Sequence, residues 1–161
     1  MTARGVLGHP WLTVRVQILL GAVFIVAALP KIADPPSFAH MIYNYRMLPG
    51  ALVNGAGLFL PWFELLTGVA LVLGIWRRTA SSAIGILLLL FIVSIGFNLI
   101  RGNPIDCGCF DVSAAGRSVE ERFQDMGWVI ARDVGMLLLV GQSLWSERLS
   151  PGRAAQPDQG A

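Results

Sequence analysis

The sequence predicts an all-α fold: a polytopic membrane four-helix bundle with a short interfacial helix between spans one and two. Three observations carry this. Hydrophobic residues make up 55% of the 161-residue chain and charged residues only 14%, whereas soluble domains carry about a quarter charged. Mean hydropathy is +0.64, too apolar for a surface that water must wet. Finally, four stretches approach or exceed the ~20 apolar residues that cross a bilayer. No segment calls for a strand.

The first span is Thr13–Pro30, with Arg15 at its start and no charge from Ile18 to Leu29. Arg4, Arg15 and Ala27-Ala28 also have the look of a signal peptide, but the long apolar run and the following Pro30-Lys31 favour a retained helix. Pro30, Pro35 and Pro36 predict a stop there. Ser37–Leu48 places Phe38, Met41, Ile42, Tyr45 and Leu48 on a helical period and is too short to span, which predicts a helix lying at the interface. The second span, Ala51–Trp76, holds one charge, Glu64, three residues after Pro61. The third, Thr79–Ile100, holds none. The fourth, Trp128–Trp145, is interrupted by Arg132 and Asp133, and Ser118–Gln124 reads as a helical lead-in to it. Trp11, Trp76, Trp128 and Trp145 fall near span ends, as aromatic anchors do. Residues 1–146 therefore read as one four-span domain, and 147–161 as a disordered cytoplasmic tail.

Charge excludes one class of function. Twelve Lys and Arg against ten Asp and Glu leave a net charge of +2, without the basic stripe that binds nucleic acid. The expected partner is the lipid bilayer. Arg77-Arg78, in a very short turn, is the best guide to orientation. It predicts cytoplasmic termini and places the loop after span three in the outer, oxidising compartment.

That loop carries both cysteines of the chain, as Asp106-Cys107-Gly108-Cys109-Phe110-Asp111. Residues two apart can meet the Cα separation of a disulfide, and Gly108 tolerates the backbone angles of so small a ring. A loop this short gains little as a staple, and a strained disulfide is labile and oxidising. The spacing thus points to a redox pair, with free thiols or a metal site completed by Asp106, Asp111 or His40 as alternatives. The expected metal content is none.

Ionisable groups inside apolar spans are expensive and are read as functional or paired. Lys31, Glu64, Asn98, Arg132 and Asp133 are predicted to form a buried polar cluster beneath the cysteine turn. Its architectural version pairs Arg132 with Glu64 and Lys31 with Asp133. Its functional version lowers a thiol pKa or binds an anionic head group or quinone oxygen.

Several segments together resemble a known family. Lys31-Ile32-Ala33-Asp34-Pro35-Pro36-Ser37-Phe38-Ala39, Tyr45-Arg46-Met47-Leu48-Pro49, Pro61-Trp62-Phe63-Glu64-Leu65-Leu66-Thr67-Gly68, Asp106-Cys107-Gly108-Cys109-Phe110 and Arg132-Asp133 resemble the methylamine utilisation protein MauE family, within the wider DoxX-like membrane proteins. The likeness runs from about residue 14 to residue 146. Many members read Cys-Gly-Cys-Phe-Gly, and Asp111 departs from that pattern. The resemblance implies a four-helix, redox-associated protein of the bacterial inner membrane, linked to making methylamine dehydrogenase, whose small subunit is exported and rich in disulfides. It implies disulfide chemistry on an exported partner, with a quinone-linked thiol oxidoreductase or a lipid- or small-molecule-binding bundle as alternatives. A quinone relay of that kind generally uses two cysteine pairs, and this chain has one.

Overall fold

The computed structural model describes residues 10–103, Ile105 and 118–149. Five helices follow in order: α1 (Pro10–Ala33), α2 (Pro35–Asn44), α3 (Gly50–Leu73), α4 (Arg77–Ile100) and α5 (Val119–Leu149). Four of them, all but α2, are long and apolar enough to cross a membrane. The all-α, four-span expectation holds.

Several boundaries differ from the sequence reading: the second span ends at Leu73 rather than Trp76, the third starts at Arg77 rather than Thr79, and the last helix runs on to Leu149, into the segment expected to be disordered tail. Three further differences have a clear physical reason. Pro30 does not end α1 but lies inside it, and the helix continues through Lys31 to Ala33. A proline removes one helical N–H, a loss that spanning helices tolerate. In return Lys31 stays helical, and helical side chains tilt back toward the N-terminus, which here means into the bundle. Next, α2 begins at Pro35, where a missing N–H is harmless, and ends at Asn44, before Arg46 turns at φ 52°. Tyr45 to Leu48 therefore fall outside it. Last, the lead-in is one helix with the fourth span. Ser118 and Glu121 form a capping box, in which Ser118 N donates to Glu121 Oε2 (2.8 Å) and Glu121 N to Ser118 Oγ (3.3 Å), so α5 starts at Val119. Trp128 consequently stands more than two turns inside α5 rather than at its end.

The start of α2 is fixed by Asp34. Its Oδ1 accepts from Ser37 N (3.2 Å) and its Oδ2 from Ser37 Oγ (2.7 Å). The Ser37 hydroxyl, and then the Ser37 amide, hold the Asp34 carboxyl below its ordinary value. A carboxylate depressed on folding adds stability above its unfolded pKa and loses it as pH falls through the folded one. Asp34→Ala is therefore expected to speed amide exchange in the first turn of α2 at neutral pH. The difference from the parent chain should vanish once acid has protonated Asp34; an unchanged difference in acid would overturn the assignment.

The bundle divides into two halves. α1 packs chiefly on α3, with α2 against α3, and α4 packs chiefly on α5. Within the first half Gly21 and Gly68 bring the backbones of α1 and α3 together: a Cβ on Gly21 would stand 2.6 Å from Gly68 O. Small residues of this kind permit close helix approach in lipid, where apolar surface gains nothing by hiding. The main apolar core crosses both halves, from Leu20 and Phe24 on α1 through Leu71 to Ile84, Leu88 and Val140. A second core, Ile95, Ile105, Met126 and Val129, closes the far end of α4 and α5.

Candidate functional site

Lys31 is the only lysine of the chain, and its side chain is 2% exposed. Its Nζ donates to both carboxylate oxygens of Glu64, at 2.9 and 2.7 Å. Two phenyl rings flank the same ammonium, Phe38 with its centroid at 5.3 Å and Phe91 at 5.0 Å, distances at which a ring's quadrupole attracts a cation. Four helices thus converge on one charge. Glu64 sits about 20 Å along α3 from Gly50 by helical rise, deep in the span. Thr67 Oγ1 bonds back to Phe63 O (2.8 Å) and Glu64 O (3.1 Å), so its hydroxyl is satisfied within its own helix.

The second ion pair lies wholly within α5. Arg132 Nε and Nη2 donate to Asp133 Oδ1 at 3.0 and 2.9 Å. Asp133 is buried, while the Arg132 side chain keeps 25% exposure. The pairing is the reverse of the expected one: Lys31 takes Glu64 and Arg132 takes Asp133. The reason is packing. α1 and α3 are the closest neighbours in the bundle, which puts Lys31 against Glu64, and Arg132 reaches the adjacent carboxylate without leaving its helix. The two pairs still meet, for Asp133 interacts electrostatically with both Lys31 and Glu64. All four charges line one cavity of about 20 Å³ together with Val23, Phe24, Ala27, Leu88, Phe91 and Met136.

Asn98 does not join them. Its amide donates to Tyr45 O (3.2 Å) and Ser94 O (3.0 Å), and its Oδ1 accepts from Asn103 (3.1 Å). Asn103 also donates to Asn44 O at 3.4 Å. This network ties the end of α4 to the end of α2, about two turns from Phe91. Cys107, Cys109 and the tail from residue 150 lie outside the described residues.

A polar latch at the opposite end was not anticipated from the sequence. Thr13 Oγ1 donates to Ser146 Oγ (2.8 Å), and Gln17 Nε2 to Ser143 Oγ (2.9 Å) and Glu147 Oε1 (2.6 Å). The signal was present as helical spacing: Thr13 and Gln17 are four apart, Ser143 and Ser146 three apart, so each pair shares a helix face.

The chain is similar to several known proteins. The family model described as methylamine utilisation protein MauE matches residues 9–146. A methylamine utilization protein MauE of Methylorubrum extorquens is 31% identical over 147 residues, covering 90% of this chain and 75% of that protein. Proteins of the same name from Methylophilus methylotrophus and Paracoccus denitrificans are 35% and 34% identical over 101 and 103 residues. The matches cover 62% and 63% of this chain but only 53% and 55% of those proteins. No solved structure matches the chain.

Proposed function

The chain belongs to the methylamine utilisation protein MauE family, and from that premise we propose that it supports maturation or disulfide chemistry of an exported partner in a methylamine dehydrogenase-type system. The observation that carries the reading is the family match running through all four spans and the intervening Cys107-Gly108-Cys109 segment. In this proposal Cys107 and Cys109 are the redox pair. The segment that holds them faces the outer side of the bacterial inner membrane, and both termini are cytoplasmic. Arg77-Arg78 at the start of α4 supports that orientation, since basic residues in short loops stay on the cytoplasmic side. Lys31 and Glu64 hold α1 and α3 in register, and Asn98 joins the end of α4 to the end of α2.

Thiol trapping tests the proposal directly. In intact cells a membrane-impermeant alkylating reagent is expected to modify Cys107 and Cys109 only after an external reductant has been added. Labelling that requires membrane disruption would overturn the orientation and the disulfide reading together. With Cys107→Ser, the remaining Cys109 is expected to trap an exported protein as a mixed disulfide. The absence of any adduct, alongside normal behaviour of the double serine variant, would reduce the pair to a structural turn.

A further inference from the structure

The end of α5 carries a carboxylate without a counter-charge. Lys31 pairs with Glu64 and Arg132 with Asp133, but Glu147 makes no ion pair among the described residues. Its Oε1 accepts from Gln17 Nε2 at 2.6 Å. Its Oε2 is buried and has no hydrogen-bond partner. A buried polar atom without a partner costs free energy, and one that carries charge costs more.

The surroundings of Glu147 are rich in oxygen. Thr13 and Gln17 of α1 and Ser143 and Ser146 of α5 are all buried. Gln17 Nε2 bridges Ser143 Oγ, at 2.9 Å, and Glu147 Oε1, so one nitrogen holds the serine and the carboxylate side by side. Thr13 Oγ1 donates to Ser146 Oγ at 2.8 Å. α4 brings a further hydroxyl to this level. A Cβ on Gly85 would stand 3.2 Å from Val140 Cγ1, which fixes how α4 lies on α5. Ser81 is about one turn from Gly85, and Ser143 about one turn from Val140, toward the same end of two helices that cross in opposite directions. Ser81 is fully buried, and its Oγ also lacks a hydrogen-bond partner.

We propose that this cluster binds one small monovalent cation, with Glu147 Oε2 supplying the charge and the hydroxyl oxygens of Ser81, Ser143 and Ser146 completing the shell. Hard cations are held by oxygen ligands of these kinds. One carboxylate cancels one positive charge, whereas a divalent ion would leave a net charge at the end of a spanning bundle. A neutral molecule would leave the carboxylate uncancelled. The Lys31 cluster differs, because its two ion pairs already cancel. Gln17 is a positioning residue: by holding Oε1 it leaves Oε2 for the ion. The bound cation ties α4 to α5 and, through Gln17 and Thr13, to α1. The site is independent of the cysteine chemistry proposed above.

Thermal unfolding of the full chain in micelles of an uncharged detergent, at constant ionic strength, tests the proposal. Replacing choline chloride with sodium or potassium chloride is expected to raise the midpoint saturably, by roughly 3–6 °C at ten times the half-saturating concentration. A response to either ion supports the site, and the stronger response identifies which ion it prefers. Glu147→Gln keeps an acceptor for Gln17 and should abolish the response. Ser81→Ala and Ser146→Ala should each raise the half-saturating concentration several-fold, and they carry the test if Glu147→Gln does not fold. Glu120→Gln, on the exposed first turn of α5, should respond as the parent chain does. Equal midpoints in sodium, potassium and choline would overturn the proposal, as would a response to calcium alone. So would a full response in folded Glu147→Gln, or unchanged half-saturation in both serine variants.

Discussion

Replacing Lys31 alone with methionine is expected to lower the stability of the bundle by about 3–5 kcal/mol, the loss seen when one member of a buried ion pair is removed. The reasoning begins with what is left behind. Glu64 is 1% exposed, and both of its carboxylate oxygens take their hydrogen bonds from Lys31. Without the ammonium the carboxylate is an unpaired charge deep in a span. It must take up a proton or draw the helices apart. Glu64→Gln fails for the converse reason: the ammonium loses its counter-ion and keeps the rings of Phe38 and Phe91 and the electrostatic interaction with Asp133. Removing both charges is a different operation. Lys31→Met combined with Glu64→Leu leaves no orphan, and apolar replacement of a complete buried pair is commonly neutral or stabilising. Most of the loss should therefore return in the double variant. Reversible unfolding of the purified chain in mixed micelles, run for the two single variants and the double, gives the coupling energy. Additive single and double effects would mean that the ion pair contributes nothing to stability.

The spans were legible because lipid imposes a simple rule: a long, nearly uncharged run must be helical. Residues such as Leu87 to Val93 need no partner to reveal themselves. The start of α5 was equally open to reading, since Ser118-Val-Glu-Glu121 carries its capping box in four letters. Which charges pair was not legible. Lys31 and Glu64 stand 33 residues apart, and their meeting depends on how α1 docks on α3. That docking is set by Gly21 and Gly68, whose significance lies in an atom they lack. Asn98 was grouped with the charges because it is polar in an apolar span; its bonds to Ser94 and Tyr45 follow from a helix end that only the fold defines. Pro30 misled for a related reason, because the general rule that proline stops a helix is weaker inside a membrane.

Of single-atom changes, adding a methyl group at Gly21 is expected to have one of the largest effects. The new Cβ would stand 2.6 Å from Gly68 O and 2.7 Å from Val72 Cγ2. Val72 can rotate away, but Gly68 O belongs to the backbone of α3 and moves only with its helix. The reciprocal change meets the same obstacle, since a Cβ on Gly68 would lie 2.9 Å from Gly21 O. Either helix must back off, and backing off carries Lys31 away from Glu64 along the same interface. Overpacking of this kind costs about 1–3 kcal/mol. In lipid no hydrophobic force draws the helices back together, because the acyl chains are as apolar as the side chains. Gly96 on α4 supplies the control, for a Cβ there meets nothing within 4 Å. Gly21→Ala and Gly68→Ala should both unfold at lower denaturant than the parent chain, and Gly96→Ala should not. The ¹⁵N resonance of Lys31 should shift in the first two variants and stay in place in the third. Equal stability across all three alanine variants would show that α1 and α3 are not held by this close approach.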